Sequence, residues 1–560
     1  RMTKSGVVKI AIFTVVAICV YFAVTNSFRD TSSQWRSSHF YNAYLVDDRR
    51  LQSIDESTSA VKQTSDDTGK TGEVAVDNVE TNTAIAKKKS ESIDTDDSIY
   101  YRTAVLYTVE NRGGVSVRIT SIQECGNKKA AVMRIGDLEL TLKKTTINSG
   151  CPWFFAPKCK MVGYFAMAAI TSSASQTVPL PSPLPPFAEL YDYKNDKWKP
   201  LELIDGRSSP VHPHKLAVCL QPIYLMADWP LIPNFFETWI GNGATLFYIY
   251  VHSISKEIDV LIKMYEAQKG IEVIRVNWPA LPTVYGDDDL LNPNNRLYRT
   301  EVVTAVNDCI LRARSSADLV VSSDLDEIIA PLGKDGRKET LLQIIDDHRL
   351  RKTKQKTMPG AFIFLNSFAY AENDWSTITH PRQISFKHYA SVDIENKVWT
   401  RGRRSKVIYI PDRIFRAHVH EVVAMESKKW GAVVIDENRA RVLHFRQVMS
   451  GAMNRSAVSK SRTVLAEASA EWQTAWEARL EEAMQQSQSV VSSKGNVTLA
   501  TEKWDNLGSK VLKEIEECRD KNTLVKEQRC ETVWSCRSKM QIIPAGDWVE
   551  PDSDKYWTVI

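Results

Sequence analysis

Charge of one sign is missing from this chain. Its 72 Lys and Arg stand against 68 Asp and Glu, a formal net charge of +4 over 560 residues. A phosphate backbone demands a basic excess that is not there, so nucleic acid is not an expected partner. Cysteine is sparse at nine, and its spacings do not form a zinc site. Aromatic residues vanish between Tyr44 and Tyr100. A segment so poor in apolar surface cannot order itself, and 29–100 reads as a flexible stem.

One apolar run stands out. Val7–Val24 is interrupted only by Lys9 and Thr14. Its continuous part from Ile10 spans roughly 22 Å as a helix, short for a bilayer, but enough for a thin membrane or with Lys9 snorkelling. Arg1, Lys4 and Lys9 precede the acidic residues, which predicts a cytoplasmic tip and a lumenal bulk. A cleaved signal peptide is the rival, with Ala23-Val24-Thr25 the nearest approach to a cleavage site. Residues 1–28 are therefore expected to be tip and anchor. Outside the anchor's Cys19, the even set Cys125, Cys151, Cys159, Cys219, Cys309, Cys518, Cys530 and Cys536 suits disulfides in an oxidising lumen. Local bridges within 125–159 and within 518–536 are expected, with connectivity left open. Asn454-Arg455-Ser456 and Asn496-Val497-Thr498 are glycosylation sequons.

Three stretches follow the stem. Residues 101–205 carry alternating runs, Thr103–Tyr107, Val115–Ile122 and Ala131–Ile135, that predict a small antiparallel β region. Pro179–Pro186 is a stiff connector. From 206 to 450 strands and helices alternate. Leu216–Leu220 (closed by Pro222), Leu246–Val251, Ile271–Val276, Leu319–Val321, Ala361–Leu365, Val407–Ile410 and Arg441–Phe445 read as strands. Leu231–Ile240, Ile258–Gln268, Tyr298–Arg314 and Leu341–His348 have helical periodicity. This alternation predicts an α/β fold with a mostly parallel sheet covered on both faces. Residues 451–560 read as a polar helical tail anchored by Trp472, Trp476 and Trp504.

Asp318–Pro331, DLVVSSDLDEIIAP, carries the chemistry. A buried strand runs into Asp324-Leu325-Asp326, followed by Glu327. Open α/β sheets bind ligands at the carboxyl ends of their strands. Aspartates one residue apart can hold a hard divalent cation and leave positions for phosphate oxygens, the chemistry that a nucleotide-diphosphate sugar needs. The bland alternative is a solvated acidic turn. Gly286-Asp287-Asp288-Asp289 is the competing acidic cluster, but it lacks a preceding strand and reads as a loop.

Several pieces share one order and spacing: Cys219-Leu220-Gln221-Pro222, Phe236-Glu237-Thr238-Trp239, Phe247-Tyr248-Ile249-Tyr250, Asp324-Leu325-Asp326-Glu327, Lys406 in SKVIYIP, His420 in AHVHEV and His444 in LHFR. Together they resemble glycosyltransferase family 92 over about Leu216–Arg446; Phe445 departs conservatively from an expected Tyr. The resemblance implies the GT-A fold, a metal-dependent UDP-sugar donor and inversion to a β-linkage. It also implies a single-pass type II Golgi membrane protein that transfers galactose to a glycan, including N-glycan cores.

Residue roles follow from that likeness. Asp326 is expected to coordinate the metal, with Asp324 on the metal shell or ribose and His444 as third ligand. Mn²⁺ suits carboxylate, imidazole and phosphate oxygens. By its local sequence alone, between Leu443 and Phe445, His444 reads as a core histidine, and the family likeness reverses that reading. Lys406, with Arg404 in the same basic run, is expected to neutralise the diphosphate. His420 is expected at the donor or the acceptor. Glu421 and Asp374 are the candidate general bases that inversion requires. Trp375 and Trp399 are candidates to stack on sugar. A non-catalytic glycan-binding protein, or a transferase using another UDP-sugar, are the alternatives.

Overall fold

The computed structural model describes residues 97–560 apart from internal stretches, the longest being 171–179 and 446–462. The anchor, most of the stem, Asp374 and the Asn454 sequon lie outside the described residues. Among the described residues no helix is long and apolar enough to cross a membrane.

The alternating runs build β1 (Ile99–Val109), β2 (Gly114–Glu124), β3 (Ala131–Ile135), β4 (Leu138–Thr146), β5 (Met161–Ala169), β6 (Phe187–Asp192) and β7 (Lys197–Asp205). These join in the order β2-β5-β4-β3-β6-β7-β1, and β1 also pairs with β2, so the sheet closes on itself like a barrel. Closure removes the exposed edges of an open sheet. Leu106, Val117, Ile119, Met133 and Leu190 fill its interior. The region is larger than expected, and β1 meets β7 in parallel rather than antiparallel.

The second unit opens with β8 (His214–Ile223), β9 (Leu246–Val251), β10 (Ile254–Ser255), β11 (Glu272–Asn277) and β12 (Ala317–Ser323). A seven-stranded sheet runs β11-β9-β8-β12 and continues through β17 (Lys406–Tyr409), β14 (Met358–Phe364) and β20 (Trp430–Val434). The first four strands are parallel, whereas β17 is antiparallel to both its neighbours. A four-stranded sheet adds β13 (Glu327–Pro331), β21 (Ala440–Phe445), β15 (Asn366–Tyr370) and β16 (Asp393–Ile394). The hairpin of β18 (Ile414–Ala417) and β19 (Val422–Met425) stands apart.

Period-two geometry explains the apolar runs. Leu216, Val218, Leu220, Phe247 and Ile249 join one core, while Ala217, Cys219, Tyr248 and Tyr250 join another. Both faces of the parallel half are therefore buried. Helices α1 (Leu231–Gly241) and α2 (Lys256–Glu266) pack on the first face through Phe236, Trp239, Leu261 and Tyr265. Helix α3 (Val302–Arg312) packs on the second through Val306, Cys309 and Ile310. Helix α4 (Leu341–Arg349) carries a capping box between Thr340 and Gln343, which satisfies donors that a helix start leaves open. Helix α5 (Ala466–Gln485) lays Trp472 and Trp476 into the first core, and Trp504 joins them. Helix α6 (Gly508–Leu524) packs Val511 and Ile515 against Tyr224 and Leu225.

Two expectations need correction. Pro222 does not close its strand: β8 runs on to Ile223, and its register against β9 shifts between Leu220 and Ile223. That irregularity absorbs the missing proline N–H. Helix α3 starts at Val302, not Tyr298, because Arg299 and Glu301 adopt left-handed backbone, φ 55° and 56°. Disulfides Cys125–Cys151 and Cys518–Cys536 are local as expected, but Cys159 pairs with Cys530, 371 residues away, and Cys219 with Cys309.

Candidate functional site

The parallel strand β12 ends at Ser323, and the chain turns through Asp324-Leu325-Asp326 into β13 of the other sheet. The acidic motif thus sits where one sheet hands over to another. Antiparallel pairing of β12 with β17 brings the start of β17, Lys406, alongside that turn. Pairing of β13 with β21 sets Glu327 directly opposite His444. The Phe445 N–H donates to the Asp326 carbonyl and fixes the second aspartate to the same strand.

These side chains form one buried cluster. Lys406 Nζ lies 2.7 Å from Asp324 Oδ2 and 2.8 Å from Glu327 Oε2. His444 Nε2 lies 3.1 Å from Asp326 Oδ2, and its Nδ1 3.4 Å from Glu327 Oε1. Burial opposes the charge of Lys406, yet Asp324 and Glu327 hold its pKa above the ordinary lysine value. Burial pushes Glu327 up to about 7, with Asp324 and Asp326 adding to the rise and Lys406 and His444 working against it. Glu327 is the functional candidate that the sequence reading missed. Its only sequence signal is adjacency to the motif, because its partners stand about 80 and 117 residues away and meet it only through strand pairing.

The other predicted residues fall around this cluster. His420 Nδ1 is 3.0 Å from the Ser405 carbonyl, and Ser405 Oγ donates back to the His420 carbonyl at 2.7 Å. Burial, then Lys406 and His418, hold His420 well below the usual imidazole range. A neutral ring must donate from Nδ1 to that carbonyl, which leaves Nε2 as the lone-pair nitrogen. Arg404, itself in left-handed backbone at φ 63°, lies over Phe368 and Trp399, 4.9 and 5.1 Å from their ring centroids. Phe368 in turn packs 5.2 Å from the His444 ring. Arg404 therefore reaches the cluster through an aromatic layer. Glu421 is exposed beside Gly402. Trp375 is buried in the core, while Trp399 is half-buried. Asp287 and Asp289 belong to a loop whose carbonyls accept from Asn295.

A cleft opens beside Asp324 and Leu325. Its floor is the end of β8 and the following turn, with Gln221, Leu225 and Asp228; Thr300 adds a further wall. Left-handed backbone recurs here at Leu225, φ 46°, and Arg299. Strained backbone of this kind collects where a site over-determines it.

The residues present fit a divalent cation as a half-site. Asp324 Oδ1 is buried without a hydrogen-bond partner, and the Asp326 carboxylate stands two residues beyond it at the same turn. No three His, Cys, Asp or Glu side chains converge as a full cage among the described residues. A cation held by one or two carboxylates takes its remaining oxygens from substrate phosphates and water, so a full protein cage is not required.

The model of glycosyltransferase family 92 matches residues 214–494, half of the chain. The chain belongs to glycosyltransferase family 92. Two relatives from Caenorhabditis elegans carry the same family name. Glycosyltransferase family 92 protein F13G3.3 is 20% identical over 283 residues, 50% of this chain and 47% of its own. Glycosyltransferase family 92 protein F59C6.8 is 24% identical over 225 residues, 40% of this chain and 39% of its own. The match thus spans under half of either relative. Among solved structures, HddC from Yersinia pseudotuberculosis covers 41% of this chain and 93% of its own, with TM-score 0.20 and 11% identity. TarS 1–349 from S. aureus covers 48% and 65%, with TM-score 0.19 and 11% identity. Superpositions that loose carry no argument about the fold of this family 92 chain.

Proposed function

We propose that this family 92 protein is a metal-dependent glycosyltransferase of the Golgi lumen, with a GT-A fold and a helical C-terminal tail. It moves galactose from UDP-galactose to a glycan, such as an N-glycan core, and inverts to a β-linkage. The observation that carries this reading is the buried Asp324–Lys406–Glu327–His444–Asp326 cluster at the carboxyl end of a parallel strand, beside an open cleft. Such strand ends are where α/β sheets receive nucleotides.

Asp324 and Asp326 would hold Mn²⁺, which supplies Lewis-acid stabilisation to the departing diphosphate. Lys406 holds both Asp324 and Glu327 in place and adds positive charge beneath the leaving group. His444 orients Asp326 through their hydrogen bond. His420, neutral and anchored by Ser405, offers a lone pair to a sugar hydroxyl. Inversion needs a base on the acceptor side, and Glu421, exposed to solvent beside Gly402, is the candidate for it.

The test is incubation of the purified protein with Mn²⁺, a panel of UDP-sugars and pooled N-glycans, with the anomeric configuration of the product read by NMR. Incorporation of β-linked galactose is expected. Transfer of a different sugar would replace the donor. Saturable glycan binding with no transfer from any donor would overturn the enzyme reading in favour of a non-catalytic glycan-binding protein.

A further inference from the structure

Gln221 lies two residues before the end of β8, in the motif Cys219-Leu220-Gln221-Pro222, and the roles above leave it unused. Its side chain is 3% exposed, and neither the amide nitrogen nor the amide oxygen has a hydrogen-bond partner among the described residues. A buried amide without partners costs free energy on both its donor and its acceptor. The same cleft holds other buried polar atoms in that condition: Asp228 Oδ1 and Thr300 Oγ1. Its remaining lining is largely apolar, including Leu220, Ile223, Leu225 and Met226. An apolar slot with a few convergent polar atoms is how small-molecule sites are built.

The opposite wall comes from elsewhere in the chain. Gly508, Val511, Leu512 and Ile515 of α6 line the cleft, and all lie beyond residue 494, where the family match stops. A Cβ on Gly508 would come within 2.7 Å of the Asp228 Cβ, so the start of α6 rests directly on the floor. The segment is tied down twice: Cys518–Cys536 fastens α6 to the chain after it, and Cys159–Cys530 fastens that chain to the residues before β5. Trp548 of the same segment joins Tyr224 and Val511 in one apolar cluster.

We infer that α6, outside the family-matched region, roofs a nucleoside slot whose polar floor is Gln221 and Asp228. The inference rests on the nucleotide-sugar reading above and extends it. The slot opens on Asp324, so a diphosphate at the acidic turn would place its nucleoside beside Gln221. A pyrimidine imide presents an N–H donor next to a carbonyl acceptor, the complement of a carboxamide. A ribose hydroxyl is a donor suited to the unpartnered Asp228 oxygen.

The test uses the full chain and measures Kd for UDP, uridine and inorganic pyrophosphate, in wild type and in Gln221→Leu. An unchanged circular dichroism spectrum and unchanged pyrophosphate binding of Gln221→Leu are the controls for folding. Hydrogen–deuterium exchange in 508–518 is followed with and without uridine. For Gln221→Leu, UDP and uridine are expected to bind tenfold weaker or worse, with pyrophosphate unchanged, and 508–518 should gain protection when uridine binds. Unchanged UDP affinity in Gln221→Leu, or equal weakening of pyrophosphate, would overturn the slot and leave the nucleotide-sugar reading standing. Unaltered exchange in α6 would overturn the roof. Failure of the wild type to bind UDP or uridine at all would overturn both readings.

Discussion

Replacing Asp228 by Asn should stabilise the protein, and more so as pH rises. The side chain is 3% exposed, and burial alone lifts its pKa from 3.8 to about 7. The folded state therefore holds the proton more tightly than the unfolded chain does. Between those values the folded state binds more protons, so stability falls as pH rises, and the full penalty is present above pH 7. At 1.36 kcal/mol per unit, a shift of about three units makes the ionised carboxylate cost about 4 kcal/mol at pH 8.5 and about 1.5 kcal/mol at pH 5. Asn carries no charge in either state and escapes this cost. Guanidinium unfolding at both pH values measures the difference. The gain from Asp228→Asn should be about 2–3 kcal/mol larger at pH 8.5 than at pH 5. A pH-independent difference, or a larger gain at the acidic end, would refute the claim that Asp228 is an unpaired buried acid.

Other perturbations probe the same framework. Lys406→Met leaves Asp324 and Glu327 buried without their shared counter-charge, and should cost about 3–5 kcal/mol in denaturant unfolding at pH 7.5. Gly508→Ala forces a methyl group to within 2.9 Å of the Asp228 backbone, and should cost about 1–3 kcal/mol and lower the thermal transition. Trp472→Ala empties a site against Phe386, Tyr389 and Gly241, and should cost about 3–5 kcal/mol, read as a lower unfolding midpoint.

Much of the fold was legible because local pattern and tertiary burial agree. Leu246–Val251 is apolar at every position, since both faces of β9 are covered, and its bounds are those expected. Ala131–Ile135 alternates, since β3 has one buried face, and it too falls where expected. The failures occur where distant residues overrule local pattern. The start of α3 is displaced because the Thr300 carbonyl accepts from Trp278 Nε1 and the Glu301 carboxylate accepts from Thr304 Oγ1 and the Gly163 N–H. Nothing near residue 298 reveals Trp278 or Gly163 as partners.

The site divides in the same way. Asp324 and Asp326 announce themselves by following a buried strand, and Lys406 and His444 were carried by family resemblance. Glu327 and Gln221 needed the pairing of strands and the view of the cleft. A buried glutamate opposite a histidine, or an amide without partners, is a property of the assembled structure, not of a short window of sequence.

The central claim is that the cluster at the acidic turn is the reaction centre. Sugar transfer by the full chain, with Mn²⁺ and with EDTA, for wild type beside Asp326→Ala, tests it most directly. The account predicts wild-type transfer that EDTA abolishes and that the substitution reduces at least a hundredfold, about 2.7 kcal/mol of lost transition-state stabilisation, while the variant stays folded. Transfer that survives in folded Asp326→Ala at the wild-type rate would place the chemistry elsewhere and contradict the account.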